Sequence, residues 1–203
     1  MVASERRAPP FVGLTGGIGA GKSTALAALE RLGAAGLSSD AVVHELYASD
    51  TLVRDALVAR FGPGVLPSGV VDRAALAERV FGSPADRTWL EGLLWPRVGA
   101  RIEAWRQSVS STEPTPRALV VEVPLLFEAG LADAFDATIA VIAAEEVRGA
   151  RAETRGHRAL AERAARQLSQ QEKAALSTYV VDNDGTVQKL EMKLSAVLDK
   201  LAE

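Results

Sequence analysis

Gly16-Gly-Ile-Gly-Ala-Gly-Lys-Ser23 stands directly after the apolar run Phe11-Val-Gly-Leu and directly before the helix-like run Thr24-Ala-Leu-Ala-Ala-Leu. The octet fits G-x-x-x-x-G-K-[ST], and strand, glycine loop and helix follow in the order that a phosphate-binding loop requires. Its glycines let the backbone wrap closely, so that the N–H groups from Gly17, Ile18, Gly19, Ala20 and Gly21 onward can point at an anion. Lys22 is expected to reach the β and γ phosphates, and the Ser23 hydroxyl to ligand Mg²⁺, with Thr24 beside it in the same turn. The helix start adds unpaired N–H groups and about half a positive charge, both favourable to an anion. The stretch therefore implies a nucleoside triphosphate bound with magnesium.

The rest of the chain is organised around that unit. Short β-rich runs at Phe11 to Thr15, Ala118 to Val123, Ala137 to Ala143 and Tyr179 to Asp182 alternate with longer helix-period segments, a pattern that indicates α/β architecture with a parallel sheet. Gly36-Leu-Ser-Ser is a weaker fifth strand candidate and runs into Asp40. Ligands of such sheets gather at the carboxyl ends of the strands, so topology favours Asp40 as a site residue. Between about Asp50 and Val109 the β runs vanish and helix patterns take over, interrupted by Gly62-Pro-Gly and Pro67-Ser-Gly. This reads as a helical insertion, and the polar, proline-containing stretch Ser110 to Arg117 returns the chain to the sheet as a loop.

Composition narrows the function classes. With 203 residues the chain suits one sizeable core with appended subdomains, and 48% apolar residues suit a globular fold. A net charge of −3 and the absence of a long Lys/Arg run argue against nucleic acid as the main partner. There is no cysteine, and two histidines make no metal cluster. The N-terminal stretch carries Arg6 and Arg7, but the apolar run that follows is too short for a signal peptide or a membrane span, so the cytoplasm is the expected location.

Further residues bear on the reaction. No N-K-x-D motif is present to select guanine; the nearest stretch is Val181-Asp-Asn-Asp-Gly185. Glu122, at the end of the run Ala118-Leu-Val-Val-Glu-Val, could be an acid near the metal or an ordinary ion-pairing group. Pro124-Leu-Leu-Phe-Glu128 is an apolar loop at the end of a central strand, which needs a cover, either the helical insertion or a bound ligand. Glu145 to Leu176 is almost continuously helix-forming and carries Arg148, Arg151, Arg155, Arg158, Arg163 and Arg166. These arginines could decorate a solvated helix, with pairs such as Glu162 and Arg166, or form a mobile lid that closes on the phosphates.

Taken together, Leu14-Thr-Gly-Gly-Ile-Gly-Ala-Gly-Lys-Ser-Thr24, Asp40 with His44 one turn on, Val123-Pro-Leu-Leu-Phe-Glu128, Gln167, Glu172-Lys173 and Val180-Val-Asp-Asn-Asp-Gly185 resemble the dephospho-CoA kinase family over nearly the whole chain. The resemblance implies a P-loop three-layer αβα fold with a five-stranded parallel sheet. Residues 1–49 and 116–203 would form the nucleotide-binding core, with a helical lid at about 147–176, and residues 50–115 a helical subdomain that binds the substrate. The implied reaction passes the ATP γ-phosphoryl group to the ribose 3′-hydroxyl of dephospho-CoA, with Mg²⁺ and two small-molecule substrates as the partners. By position in the family motif, Asp40 would orient that hydroxyl and accept its proton. Arg155 and Arg163 would contact phosphate, Asn183 would approach the adenine ring, and Pro124, Leu125, Leu126, Phe127 and Glu128 would face the substrate. Departures are Ser38-Ser-Asp40 in place of Asp-Ala-Asp, Trp95-Pro96 in place of His-Pro, and Ser177-Thr178 in place of Ala-Asp. Trp95, on a helix face, is expected to pack into a core. Competing readings are another small-molecule kinase of the same fold, or a regulatory module that binds ATP without phosphorylating a small molecule.

Overall fold

The computed structural model describes residues 8–80, 82–153 and 167–203. Five strands, β1 (Phe11–Gly16), β2 (Ala35–Ser38), β3 (Leu119–Glu122), β4 (Ala137–Ile142) and β5 (Tyr179–Asp182), form one parallel sheet in the order β2-β3-β1-β4-β5. All five follow the β-rich runs of the sequence, and the short fifth candidate is real: β2 pairs Ala35 with Leu119 and Ser38 with Glu122. With β1 at the centre, the glycine loop leaves the sheet where a parallel sheet opens its ligand crevice.

Alternation along β1 divides its side chains between two layers. Val12 and Leu14 join Val120, Ile139, Val141 and Val181 beneath helices α1 (Lys22–Arg31) and α8 (Val187–Leu201), which contribute Leu26, Leu29, Leu194 and Leu198 to the same core. On the opposite face Phe11 stacks on Phe135 with ring centroids 4.7 Å apart, and the Arg106 guanidinium lies 4.5 Å from the Phe11 ring centre. Gly13 presents no side chain there, and Leu126 lies against its backbone; a Cβ at that position would collide with the leucine. Helix α7 (Gln170–Leu176) packs on β4 and β1 and places the Lys173 ammonium beside Thr15 on this face.

The chain divides into two compact units, one built from residues up to Ser38 together with Arg106–Glu203, the other from Ser39–Trp105. Both divisions fall about ten residues before the expected positions at 49/50 and 115/116. Helix α2 (Ser39–Ser49) packs on α3 (Thr51–Phe61) and so joins the second unit, whereas Arg106 is drawn to the first by Phe11. Among the described residues the second unit has helices and no strand: α2, α3, α4 (Arg73–Val80) and α5 (Pro84–Ser110) surround buried Val42, Leu46, Val53, Leu57, Val65, Leu76 and Leu94. Asp50 caps α3 by accepting from the Val53 N–H at 3.1 Å. Phe61 meets Trp89 edge-on at 5.5 Å, with Arg60 5.7 Å from the indole centre and paired to Asp86 at 2.7 Å. Trp95 departs from expectation, being half exposed rather than packed in the core. Helix α5 continues through Pro96, which lacks an N–H, and the Arg97 guanidinium adds a donor to the Leu93 carbonyl one turn back at 2.7 Å.

Candidate active site

The glycine loop joins β1 to α1. Gly19 and Gly21 adopt φ of +77° and +92°, where side chains other than glycine are strained. The loop lies at the rim of a cavity of about 360 Å³, lined by Gly19, Gly21, Lys22, Ser23, Thr24, Glu122, Arg151 and Asn183 among others. Lys22 turns its ammonium back over the loop, donating to the carbonyls of Gly16 at 3.0 Å and Gly17 at 3.1 Å. Ser23 and Thr24 are exposed at the start of α1, whereas Ala20 is fully buried and its N–H bonds the Gly17 carbonyl. Ile18 is half-buried at the turn, and its carbonyl accepts from Arg148.

Oxygen-bearing and cationic residues share the lining of this cavity: Glu122, the last residue of β3, lines it together with Ser23 and Arg151. A hydroxyl and a carboxylate are hard ligands suited to Mg²⁺, which keeps several waters and takes only one or two protein oxygens beside substrate phosphates. The residues present therefore fit the ion. Among the described residues no group of three or more His, Asp or Glu forms an all-protein metal site.

Helix α6 (Glu145–Glu153) brings two arginines to the loop. Arg148 Nε donates to Ile18 O at 2.9 Å; Arg151 donates to Gly19 O at 3.4 Å and to Asn183 O at 3.2 Å. Asn183, expected to approach an adenine, is buried, and its side-chain amide donates to Ala20 O at 2.9 Å. Arg155 and Arg163, with Arg158, Glu162 and Arg166, lie outside the described residues.

Within the Pro124-Leu-Leu-Phe-Glu128 loop only Leu126 is buried. Leu126 has no exposed surface and is covered by the sheet itself, over Gly13; Pro124, Leu125, Phe127 and Glu128 are half-buried. Leu126 thus presents no surface to a substrate. Glu128 Oε1 lies 2.9 Å from the fully buried Lys173 ammonium and accepts from the Leu168 N–H at 2.8 Å. Lys173 Nζ also reaches Pro124 O at 2.7 Å and Thr15 Oγ1 at 3.3 Å. Gln170 grips the Ala143 backbone through both ends of its amide, at 2.9 and 2.8 Å. Residues 170–176, placed within the lid by the sequence reading, are by these bonds anchored to the sheet. Sequence reasoning gave Lys173 no role beyond the resemblance; a lysine inside an otherwise ordinary helix pattern carries no signal that its charge is buried.

Asp40 lies in the first turn of α2, exposed, two residues after β2 ends; His44, one turn on, is exposed too. Both belong to the second compact unit.

The family model for dephospho-CoA kinase matches residues 10–189, from the start of β1 into α8. The chain belongs to the dephospho-CoA kinase family. A dephospho-CoA kinase of Deinococcus radiodurans is 40% identical over 196 residues, covering 95% of this chain and 93% of the relative. One from Protochlamydia amoebophila is 37% identical over 193 residues, covering 94% and 95%. Among solved structures, TT1252 from Thermus thermophilus superposes with a TM-score of 0.75 at 32% identity, over 96% of this chain and 98% of that one. In this dephospho-CoA kinase family member the phosphate loop and Glu122, Asp40, the Pro124 to Glu128 loop and Asn183 all fall inside the matched range. Among the described residues no helix is long and apolar enough to cross a membrane.

Proposed function

We infer that the chain transfers the γ-phosphoryl group of ATP to the ribose 3′-hydroxyl of dephospho-CoA, completing coenzyme A. The observation that carries the reading is the cavity at the glycine loop, where Lys22, Ser23, Thr24, Glu122 and Arg151 converge in a member of this family. ATP is the substrate of the loop, and the cytoplasm, where ATP is made and used, is the setting that fits.

Phosphoryl transfer asks a protein for positioning and charge neutralisation more than for covalent chemistry. The backbone N–H groups of the loop and the start of α1 hold the phosphates. Lys22, released from the Gly16 and Gly17 carbonyls, gives its ammonium to the β and γ phosphates, and Arg151 adds a second positive charge at the cavity wall. Ser23 and Glu122 hold Mg²⁺, which when bound neutralises charge on the phosphate oxygens. Asp40 orients the acceptor hydroxyl and takes its proton, an accessible carboxylate being what that task needs. The helical unit 39–105 binds the remainder of dephospho-CoA, and Arg155 and Arg163 add phosphate contacts.

The deciding experiment is ADP production from MgATP with and without dephospho-CoA, with the product weighed by mass spectrometry. Acceptor-dependent ADP and a product heavier by one phosphoryl group are expected. ADP release indifferent to dephospho-CoA would sink the substrate assignment, and an acceptor that replaces it would return the chain to the wider class of small-molecule kinases.

A further inference from the structure

Every carbonyl from Gly16 to Ala20 has a side-chain donor. Lys22 serves Gly16 and Gly17, Arg148 serves Ile18, Arg151 serves Gly19 and Asn183 serves Ala20. In a trans peptide the C=O of one residue and the N–H of the next lie in one rigid plane and point in opposite directions. A bond that pins the Ile18 carbonyl therefore sets the direction of the Gly19 N–H, and one that pins the Ala20 carbonyl sets that of Gly21. Gly19 and Gly21 both line the cavity.

The donors are of two kinds. Lys22 and Arg151 are cavity-wall cations that a phosphate can recruit. Arg148 and Asn183 are held in place by the fold behind the loop. Arg148 is steadied by Glu145 at 2.7 Å, and its own backbone backs onto Gly19, where a Cβ would come within 2.7 Å of the Arg148 carbonyl oxygen. Asn183 borders the cavity but is buried; its N–H is bonded to Ile142 O at 2.8 Å at the end of β4, and its carbonyl accepts from Arg151. A Cβ on Gly21 would collide with the Asn183 amide nitrogen. Both glycines are thus required by the approach of these two residues as well as by their own backbone angles.

We propose that Arg148 and Asn183 are positioning residues that pin the Ile18 and Ala20 carbonyls away from the nucleotide, setting the phosphate-binding N–H groups before ATP arrives. The inference rests on the reading that this loop binds ATP. A loop already in its bound form loses less conformational freedom on binding, which is the general route by which pre-organisation raises affinity. A loop without these struts must order itself against the phosphate, and the buried Ala20 carbonyl would lack its partner.

The test is the dissociation constant of MgATP and MgADP by calorimetry on the full chain, for the parent, Arg148→Gln and Asn183→Asp, alongside the melting midpoint without nucleotide. Arg148 is partly exposed on a helix, so Arg148→Gln removes the Nε donor with little burden on folding. Asn183→Asp keeps shape but turns an oxygen toward the Ala20 carbonyl. Both variants are expected to bind ATP and ADP about tenfold or more weakly, a loss comparable with one unpaired buried polar group, and the nucleotide-free Arg148→Gln protein to melt within about 2 °C of the parent. An Arg148→Gln protein that binds MgATP within about twofold of the parent overturns the proposal. So does, for Arg148→Gln, a loss of affinity matched by an equal loss of nucleotide-free stability, the mark of a merely structural residue. If Asn183→Asp does not fold, Arg148→Gln decides alone. The readout is binding, so a parent that binds MgATP but ignores dephospho-CoA would defeat the proposed function and leave this test intact.

Discussion

Lys173 carries its ammonium with no exposed surface at all, beneath the sheet between Pro124 O, Thr15 and the Glu128 carboxylate. Removing one partner of such a pair leaves the other charged, buried and unmatched. Lys173→Met, close in volume, is expected to lower the free energy of unfolding in urea by about 3 kcal/mol. Adding Glu128→Gln, which keeps an acceptor for the Leu168 N–H but removes the orphaned charge, should restore about 1 kcal/mol or more. A single variant as stable as the parent would show that the pair does not hold the Pro124 to Glu128 loop. For Asp40 the expectation is kinetic: Asp40→Asn should leave the MgATP dissociation constant within about twofold while turnover with dephospho-CoA falls by about two powers of ten, the usual scale of a lost general base. An unchanged turnover number removes Asp40 from proton transfer. Legibility at this scale depended on whether a residue's task is local. Lys22 and Ser23 stand in a motif only eight residues long, and both line the cavity to which that local pattern points. Lys173 and Asn183 bond to Thr15 and Ala20, 158 and 163 positions away, and no periodicity or spacing announces contacts at that range.

The elements themselves were mostly legible because each carries its own local instruction. β1, β3, β4 and β5 are β-rich runs, and α3 is bracketed by the Asp50 cap and by Gly62 at φ +84°. The insertion was readable from the loss of β runs, but its limits were not, since α2 follows β2 with no intervening loop and only its packing on α3 assigns it. Helix α7 shows how a short element is held. Its capping box has the Ser169 hydroxyl accepting from the Glu172 N–H at 3.2 Å, while the Glu172 carboxylate accepts from the Ser169 hydroxyl at 2.7 Å and from the Ser169 N–H at 2.8 Å. These bonds, the hydroxyl's first and then the backbone's, hold the Glu172 carboxyl below its ordinary value. A carboxyl depressed in the folded state stabilises that state above the unfolded pKa, and the benefit fades as pH falls through the lower folded value. Glu172→Ala should therefore melt below the parent at neutral pH, and the difference between the two proteins should close as the pH drops beneath the ordinary carboxylate range. A gap that stayed constant down to about pH 3 would assign the effect to packing rather than to the ionised cap.

At the scale of the whole molecule the phosphate loop is built into the centre of one compact unit. β1 lies in the middle of the sheet, α1 packs on α8 and β2, and the loop carbonyls are tied to α6 and to the end of β5 through Arg148, Arg151 and Asn183. Sequence pattern could announce the loop but not this enclosure, since the ties come from segments more than 120 residues downstream. A ligand seated there binds the folded chain and not the unfolded one, so its binding free energy adds directly to stability. At a hundred times its dissociation constant MgATP contributes about 2.7 kcal/mol, and for a chain of this size each kcal/mol moves the melting midpoint by about 2–4 °C. The midpoint is thus expected to rise by about 5–10 °C with saturating MgATP. Chelation should cancel most of that rise if, as proposed, Ser23 and Glu122 engage the phosphates through the ion. Lys22→Ala should blunt the shift whether or not Mg²⁺ is present, since the proposed role of its ammonium is a direct contact with the phosphates. Equal shifts with MgATP and with ATP in excess chelator would remove Mg²⁺ from the binding step and, with it, the assignment of Ser23 and Glu122 as its ligands.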